Sequence, residues 1–190
     1  MDTKITAQSG DTITIRATVK DSNGDLITSG KLGFKLNGVS LKDENKKAIT
    51  ANIKDGIATL TYTIPDTYRA KDYKLTAVFS SDYYNRIEQN STITVTKKPT
   101  TVTTSSITTS NGKTTIKGTL TDNNGNLLVI PSKMVVKVNG KTILQNVNST
   151  DGNFDLSFTH TLEKGTYELL IISGENGIYQ NGRLTTVLKV

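Results

Sequence analysis

No cysteine and no tryptophan occur among the 190 residues, and His160 is the only histidine. The absence of cysteine excludes disulfide staples, thiol nucleophiles and thiolate zinc sites, but it leaves the compartment open, because many exported microbial proteins also lack it. A lone histidine excludes a multi-histidine metal centre. Apolar residues make up only 34% of the chain, and no apolar run approaches the ~20 residues of a membrane-spanning helix. No basic n-region followed by an apolar h-region opens the chain. If the parent protein is exported, Met1-Asp2 is an added start and the sequence reads as a piece of something larger.

Clustered basic charge is also scarce. The formal charge is +6, yet the longest basic tract is Lys97-Lys98, and Lys20, Lys35, Lys117 and Lys137 fall in polar strand positions. Phosphate backbones select for clustered cations, so nucleic acid is not an expected partner and the lysines read as a solvated surface.

What is present is a repetition. Residues 15–36, IRATVKDSNGDLITSGKLGFKL, return at 116–138 as IKGTLTDNNGNLLVIPSKMVVKV, and both copies run on into Asn-Gly, at Asn37-Gly38 and Asn139-Gly140. The offset is 101 residues between Asp21 and Asp122 and 94 between Tyr73 and Tyr167, drifting where loops change length. A period of about a hundred residues is too long for a solenoid unit and fits a self-sufficient domain duplicated in tandem. The boundary falls at Lys97-Lys98-Pro99, where proline ends a strand and begins a short stiff connector. The expected domains are 1–97 and 98–190.

Within each copy apolar residues alternate with polar ones, the mark of a strand with one buried face. Ile13, Ile15, Ala17 and Val19 answer to Ile116, Gly118 and Leu120; Leu32, Phe34 and Leu36 to Met134, Val136 and Val138; Ala58, Leu60, Tyr62 and Ile64 to Phe154, Leu156 and Phe158; Tyr73, Leu75, Ala77 and Phe79 to Tyr167, Leu169 and Ile171. Threonine fills roughly a sixth of the chain, above ordinary usage, and suits the solvated face of a strand. Asn23-Gly24, Asp55-Gly56, Asn124-Gly125 and Asp151-Gly152, with the two Asn-Gly pairs above, supply tight turns between neighbours. The pattern predicts an all-β chain of two tandem immunoglobulin-like antiparallel β-sandwiches, each of about seven strands. Tyr73 and Tyr167, each two residues before a core leucine, occupy the place of a tyrosine corner.

The runs TVKDSNGDL (18–26), KLGFKLNG (31–38), DGIATLTYTIP (55–65) and YKLTAVFSSDYYN (73–85) resemble a bacterial immunoglobulin-like (Big) repeat, as found in adhesin-like surface proteins of bacteria and methanogenic archaea. The second copy resembles it through TDNNGNL (121–127), VKVNGK (136–141), DGNFDLSFT (151–159) and GTYEL (165–169). The resemblance covers nearly the whole chain, but its motifs are turns, core parity and the tyrosine. It implies a fold and an exported, repetitive, extracellular surface protein, and it carries over no catalytic residues.

Candidate chemistry is sparse. The oxygen-rich run Asp21-Ser22-Asn23-Gly24-Asp25 lacks the distal glutamate of an EF-hand and reads as a turn, so neither metal nor other cofactor is expected. His160 aligns with core residue Ile64 and has no recognisable nucleophile or carboxylate constellation beside it; no catalytic residue is expected. An internal isopeptide would need an inward lysine, and the four strand lysines fall on the outward parity. Asn90-Ser91-Thr92 and Asn148-Ser149-Thr150 are N-glycosylation sequons, which makes Asn90 and Asn148 candidate modification sites. Gly33, Thr76 and Val78, on an outward face of the first copy, are replaced in the second by Val135, Leu170 and Ile172, an apolar turn that marks a candidate contact face.

The expected role is a non-catalytic stalk or spacer of a cell-surface adhesin-like protein, with neighbouring repeats of the parent chain as partners. The alternatives are a module that binds a carbohydrate or protein on another cell through loop residues such as Tyr83, Tyr84 and Tyr179, and an accessory domain of an extracellular enzyme.

Overall fold

Strands form wherever apolar residues recur with period two. The computed structural model describes residues 4–190, which divide into two compact units, one ending at Thr96 and one running from Lys97 to Val190. The first unit contains β1 (Lys4–Gln8), β2 (Thr12–Thr18), β3 (Lys31–Leu36), β4 (Val39–Ser40), β5 (Thr50–Lys54), β6 (Ile57–Thr63), β7 (Lys71–Phe79) and β8 (Ile87–Thr96). The second contains β9 (Thr101–Ser110), β10 (Lys113–Thr121), β11 (Lys133–Val138), β12 (Lys141–Asn148), β13 (Asn153–Thr159), β14 (Thr166–Ser173) and β15 (Gly182–Lys189). Both are immunoglobulin-like sandwiches.

In the first unit β2 and β6 pair antiparallel, with Ile15 opposite Leu60 and Ala17 opposite Ala58. The facing layer is β3, β7 and β8. Strand β5 belongs to both layers: residues 50–52 pair with β3 and residues 53–54 with β6, so the two layers form one continuous hydrogen-bonded path. In the second unit the layers stay separate, as β13-β10-β9 and β12-β11-β14-β15. The alternating side chains of each unit close on a core of that unit's own residues, Phe34, Leu75 and Ile93 in one and Met134, Leu156 and Leu169 in the other. Each such side chain contributes about 1.5–3 kcal/mol on burial.

The structure departs from seven antiparallel strands in two ways. The two-residue β4 raises the first unit to eight strands among the described residues, and β1 pairs with β8 in parallel, Lys4 opposite Thr92 through Gln8 opposite Thr96. In the second unit the first strand, β9, pairs antiparallel with β10. The turn chemistry accounts for this difference. Asn111 (φ 49°) and Gly112 (φ 70°) form a tight hairpin turn that lays β9 along β10. The first unit has Ser9-Gly10 there, and the Gly10 N–H is taken by the carbonyl of Ile64, which carries the chain from one layer to the other.

Core volumes compensate between the copies. The small pair Ala17–Ala58 is replaced by Gly118 opposite Phe154, and a Cβ added at Gly118 would lie 2.4 Å from the Phe154 ring and 2.0 Å from the Thr103 carbonyl oxygen. Both tyrosine corners form, the Tyr73 hydroxyl donating to the Arg69 carbonyl and that of Tyr167 to the Glu163 carbonyl, each at 3.0 Å.

Candidate contact surfaces

Antiparallel pairing of β11 with β14 sets Val135 directly opposite Ile172 and Lys137 opposite Leu170. Val135, Leu170 and Ile172 therefore stand together on the outer face of the sheet, half-buried and outside the second unit's core cluster. Pairing of β14 with β15 puts Glu168 opposite Val187 and Leu170 opposite Thr185, which extends the strip diagonally to Val187, 48% exposed. Sequence comparison missed Val187, although its parity alongside Thr185 and Lys189 identifies it. Lys137, Glu168 and Arg183 give the strip a charged rim. The loop 127–131 is engaged elsewhere: Leu127 packs at Gly152 and the Val129 N–H donates to the Tyr179 hydroxyl at 3.2 Å.

The matching face of the first unit is polar and cross-linked. Gly33 lies opposite Val78 and Lys35 opposite Thr76, the Thr76 hydroxyl donates to Asn90 Oδ1 at 2.8 Å, and Glu88 pairs with both Lys35, at 3.7 Å, and Arg86. Asn90 is thus an exposed sequon asparagine with its carbonyl oxygen engaged. Asn148 is exposed at the end of β12, where the hydroxyl of the next residue, Ser149, is buried and accepts the Ser132 N–H at 2.9 Å.

His160 is held by structural partners. Its Nδ1 accepts the Leu162 N–H at 3.3 Å, which leaves Nε2 to donate to the Thr114 hydroxyl at 3.0 Å, itself 3.0 Å from that of Thr109. Its neighbours Phe158, Leu162 and Tyr167 line a cavity of about 420 Å³. Around the Tyr73 corner of the first unit, Tyr68 stacks on Tyr73 with ring centroids 5.0 Å apart. Burial there, together with a hydrogen bond to Tyr68, pushes the Tyr62 hydroxyl well above its ordinary pKa.

The two aspartate turns share their geometry. Asp21 Oδ1 accepts the N–H groups of Asn23 and Asp25 at 2.9 and 3.0 Å, and Asp122 Oδ1 those of Asn124 and Asn126 at the same distances. Asp122 differs in its second oxygen, 3.2 Å from the ammonium of Lys98, with both residues buried. Burial opposes the charged form of Asp122, but the N–H groups of Asn126 and Asn124 and the Lys98 ammonium outweigh it and hold the carboxyl below the usual carboxylate range. The sequence reading missed Lys98, an inward lysine. Extending the buried parity of Val102 back along the chain through position 100 would have found it.

Of the three loop tyrosines, Tyr83 is 91% and Tyr84 43% exposed, but Tyr179 is only 2% exposed. Tyr179 is therefore a core residue and is removed from the candidate binding set: its ring seals the β14–β15 loop while its hydroxyl accepts the Val129 N–H.

No family profile matches the chain, and no curated protein sequence does either. Solved structures with a similar fold include the adhesin InvE of Yersinia pseudotuberculosis, at 17% identity and TM-score 0.51 over 100% of this chain and 57% of that one. A tetra-tandem repeat in the extending region of a large adhesion protein aligns at 12% identity and TM-score 0.50, over 96% of this chain and 57% of that one. A two-domain fibronectin type III segment of chicken tenascin aligns at 10% identity and TM-score 0.51, over 97% and 95%. At these identities the likeness is one of fold: paired immunoglobulin-like sandwiches, seen in adhesins as well as elsewhere. The chain spans 57% of the length of each of the two adhesin structures.

Proposed function

We propose that the two units are non-catalytic spacer repeats of an adhesin-like protein on the cell surface, carrying a distal binding region away from the cell. The observation behind this reading is that each unit has a core of its own residues while only residues 97–100 separate β8 from β9. A spacer needs length and independent folding, and two consecutive units with separate cores provide both. The fold shared with the extending-region repeat is consistent with it. In the parent protein, replacing both units by an unrelated fibronectin type III pair of equal length should preserve adhesion, whereas deleting them should lower it. Loss of adhesion on replacement would overturn the spacer reading.

The apolar strip favours a further role in packing against a neighbouring repeat or a second copy of the chain. Threonine at both Leu170 and Ile172 should leave the fold intact and reduce association in sedimentation; unchanged association would count against this surface. In a glycosylating host Asn90 and Asn148 are the positions where intact mass of native material should reveal glycans.

A further inference from the structure

The duplicated aspartate turn stands at the same end of each sandwich, and the two units treat that end differently. In the second unit the chain closes it with its own residues. Lys98 occupies the second carboxylate oxygen of Asp122, and the loop aromatic Tyr179 folds inward. The position aligned with Phe79 is Ser173, and both it and Tyr179 are buried. In the first unit Asp21 has the same two N–H donors on Oδ1, but among the described residues no cation or donor meets Oδ2. Here Asp21 lines a groove of about 420 Å³ together with Lys20, Ser22, Tyr83, Tyr84 and Asn85, with Ile27 and Ile87 as its apolar floor. Phe79 keeps its place in the core and supports the Tyr84 ring at a centroid distance of 6.1 Å, tilted by 54°. Ser81 accepts the Tyr83 N–H at 3.1 Å and shapes the loop that carries both tyrosines.

We propose that this groove of the first unit is a saccharide-binding site that takes a terminal neutral pyranose. A pyranose presents an apolar face of C–H groups and a rim of hydroxyls. Tyrosine rings match the first, being large, rigid and inexpensive in entropy to order. A carboxylate that only accepts, an amide that both donates and accepts, and a hydroxyl match the second. The turn holds Asp21 in place before any ligand arrives, which lowers the cost of binding. The volume lies within the roughly 300–1,000 Å³ of small-ligand sites. The lining carries one carboxylate, of Asp21, and one ammonium, of Lys20, so its charges offset each other and match an uncharged sugar.

The experiment uses the whole two-unit chain, labelled with ¹⁵N and titrated with the methyl glycosides of glucose, galactose, mannose and N-acetylglucosamine. At least one should give saturable amide shifts confined to residues 20–27 and 82–87. Tyr83→Ala should abolish them by removing the exposed ring. Asp21→Asn should also abolish them, although asparagine keeps the oxygen that accepts the turn N–H groups, so the spectrum elsewhere should stay as in the wild type. No saturable shifts with any of the four sugars, shifts that map elsewhere, or shifts that survive both substitutions would overturn the proposal. The spacer reading is tested by replacement in the parent protein and survives failure here. Should replacement abolish adhesion, Tyr83→Ala in the parent tells whether this groove was the cause.

Discussion

The two units use one set of folding instructions and finish their edges and ends in opposite ways. In the first, the opening strand β1 covers the edge of β8, the strand β5 stitches the layers together, and the aspartate end stays open. In the second, β9 crosses to the other layer, the layers stay separate, and the aspartate end is closed by a buried ion pair and a buried tyrosine. Duplication therefore preserved the elements that make a sandwich and relaxed those that seal it. The second unit gains enclosure at Asp122 but depends on a single cation for it. The first keeps a pre-formed acceptor at Asp21 that folding does not consume.

The largest effect should come from removing that cation. Lys98→Met leaves the Asp122 carboxylate buried without its counter-charge and should cost the second unit about 3–5 kcal/mol, measured as a shift in denaturant midpoint. Asp21→Ala removes only turn hydrogen bonds and should cost the first unit about 1 kcal/mol. Equal losses would erase the distinction between a sealed and an open end. The same site predicts an acid dependence. Because the folded-state pKa of Asp122 is lowered, its stabilising contribution is complete above the unfolded value of about 3.9 and declines as pH falls from there through the folded value. Melting of the second unit followed between neutral pH and pH 2 should show this decline, and Asp122→Asn should remove it.

A smaller effect is expected at the compensated core pair. Gly118→Ala forces a methyl against Phe154 and the Thr103 carbonyl and should cost the second unit about 1–3 kcal/mol. The reciprocal Ala17→Gly should cost the first only about 0.5–1 kcal/mol, from backbone entropy. A neutral Gly118→Ala would mean that β9 can move away from β10 without loss. The smallest contrast is at the corners, where Tyr73→Phe and Tyr167→Phe each remove one hydroxyl-to-carbonyl bond and should each lower stability by about 0.5–1.5 kcal/mol. Closely matched losses would show that this part of the instruction is shared without modification; unlike losses would add the corner to the places where the units have diverged.

Most strand positions were legible because burial alternates every two residues. The hairpin turns were legible because Asn and Gly tolerate positive φ, as at Asn37 and Asn139. The contrast between Thr76 and Leu170 was also legible, since aligned copies display the change of polarity directly. The parallel pairing of β1 was not. Lys4–Gln8 and Thr101–Ser110 are both short-range signals for a strand, and neither names its partner; only the Asn111-Gly112 turn carried a local hint, for β9. Tyr179 was misread because a loop tyrosine looks alike whether it points to solvent or into a core. Lys98 was missed because it lies in the connector between two strands, where a lysine reads as solvated and is seldom buried.

What the sequence determined by itself is the pair of sandwiches, the parity of their cores, their turns and their corner tyrosines, all set within a few residues by side-chain alternation and backbone dihedral preference. Only the tertiary structure decided which layer receives the opening strand of each unit and whether the aspartate end is shut. Those outcomes depend on groups far apart in the chain, Lys98 and Asp122 being 24 residues apart and Val129 and Tyr179 50. Whether such contacts form depends on space and charge left by the packing of other elements, which no local pattern encodes.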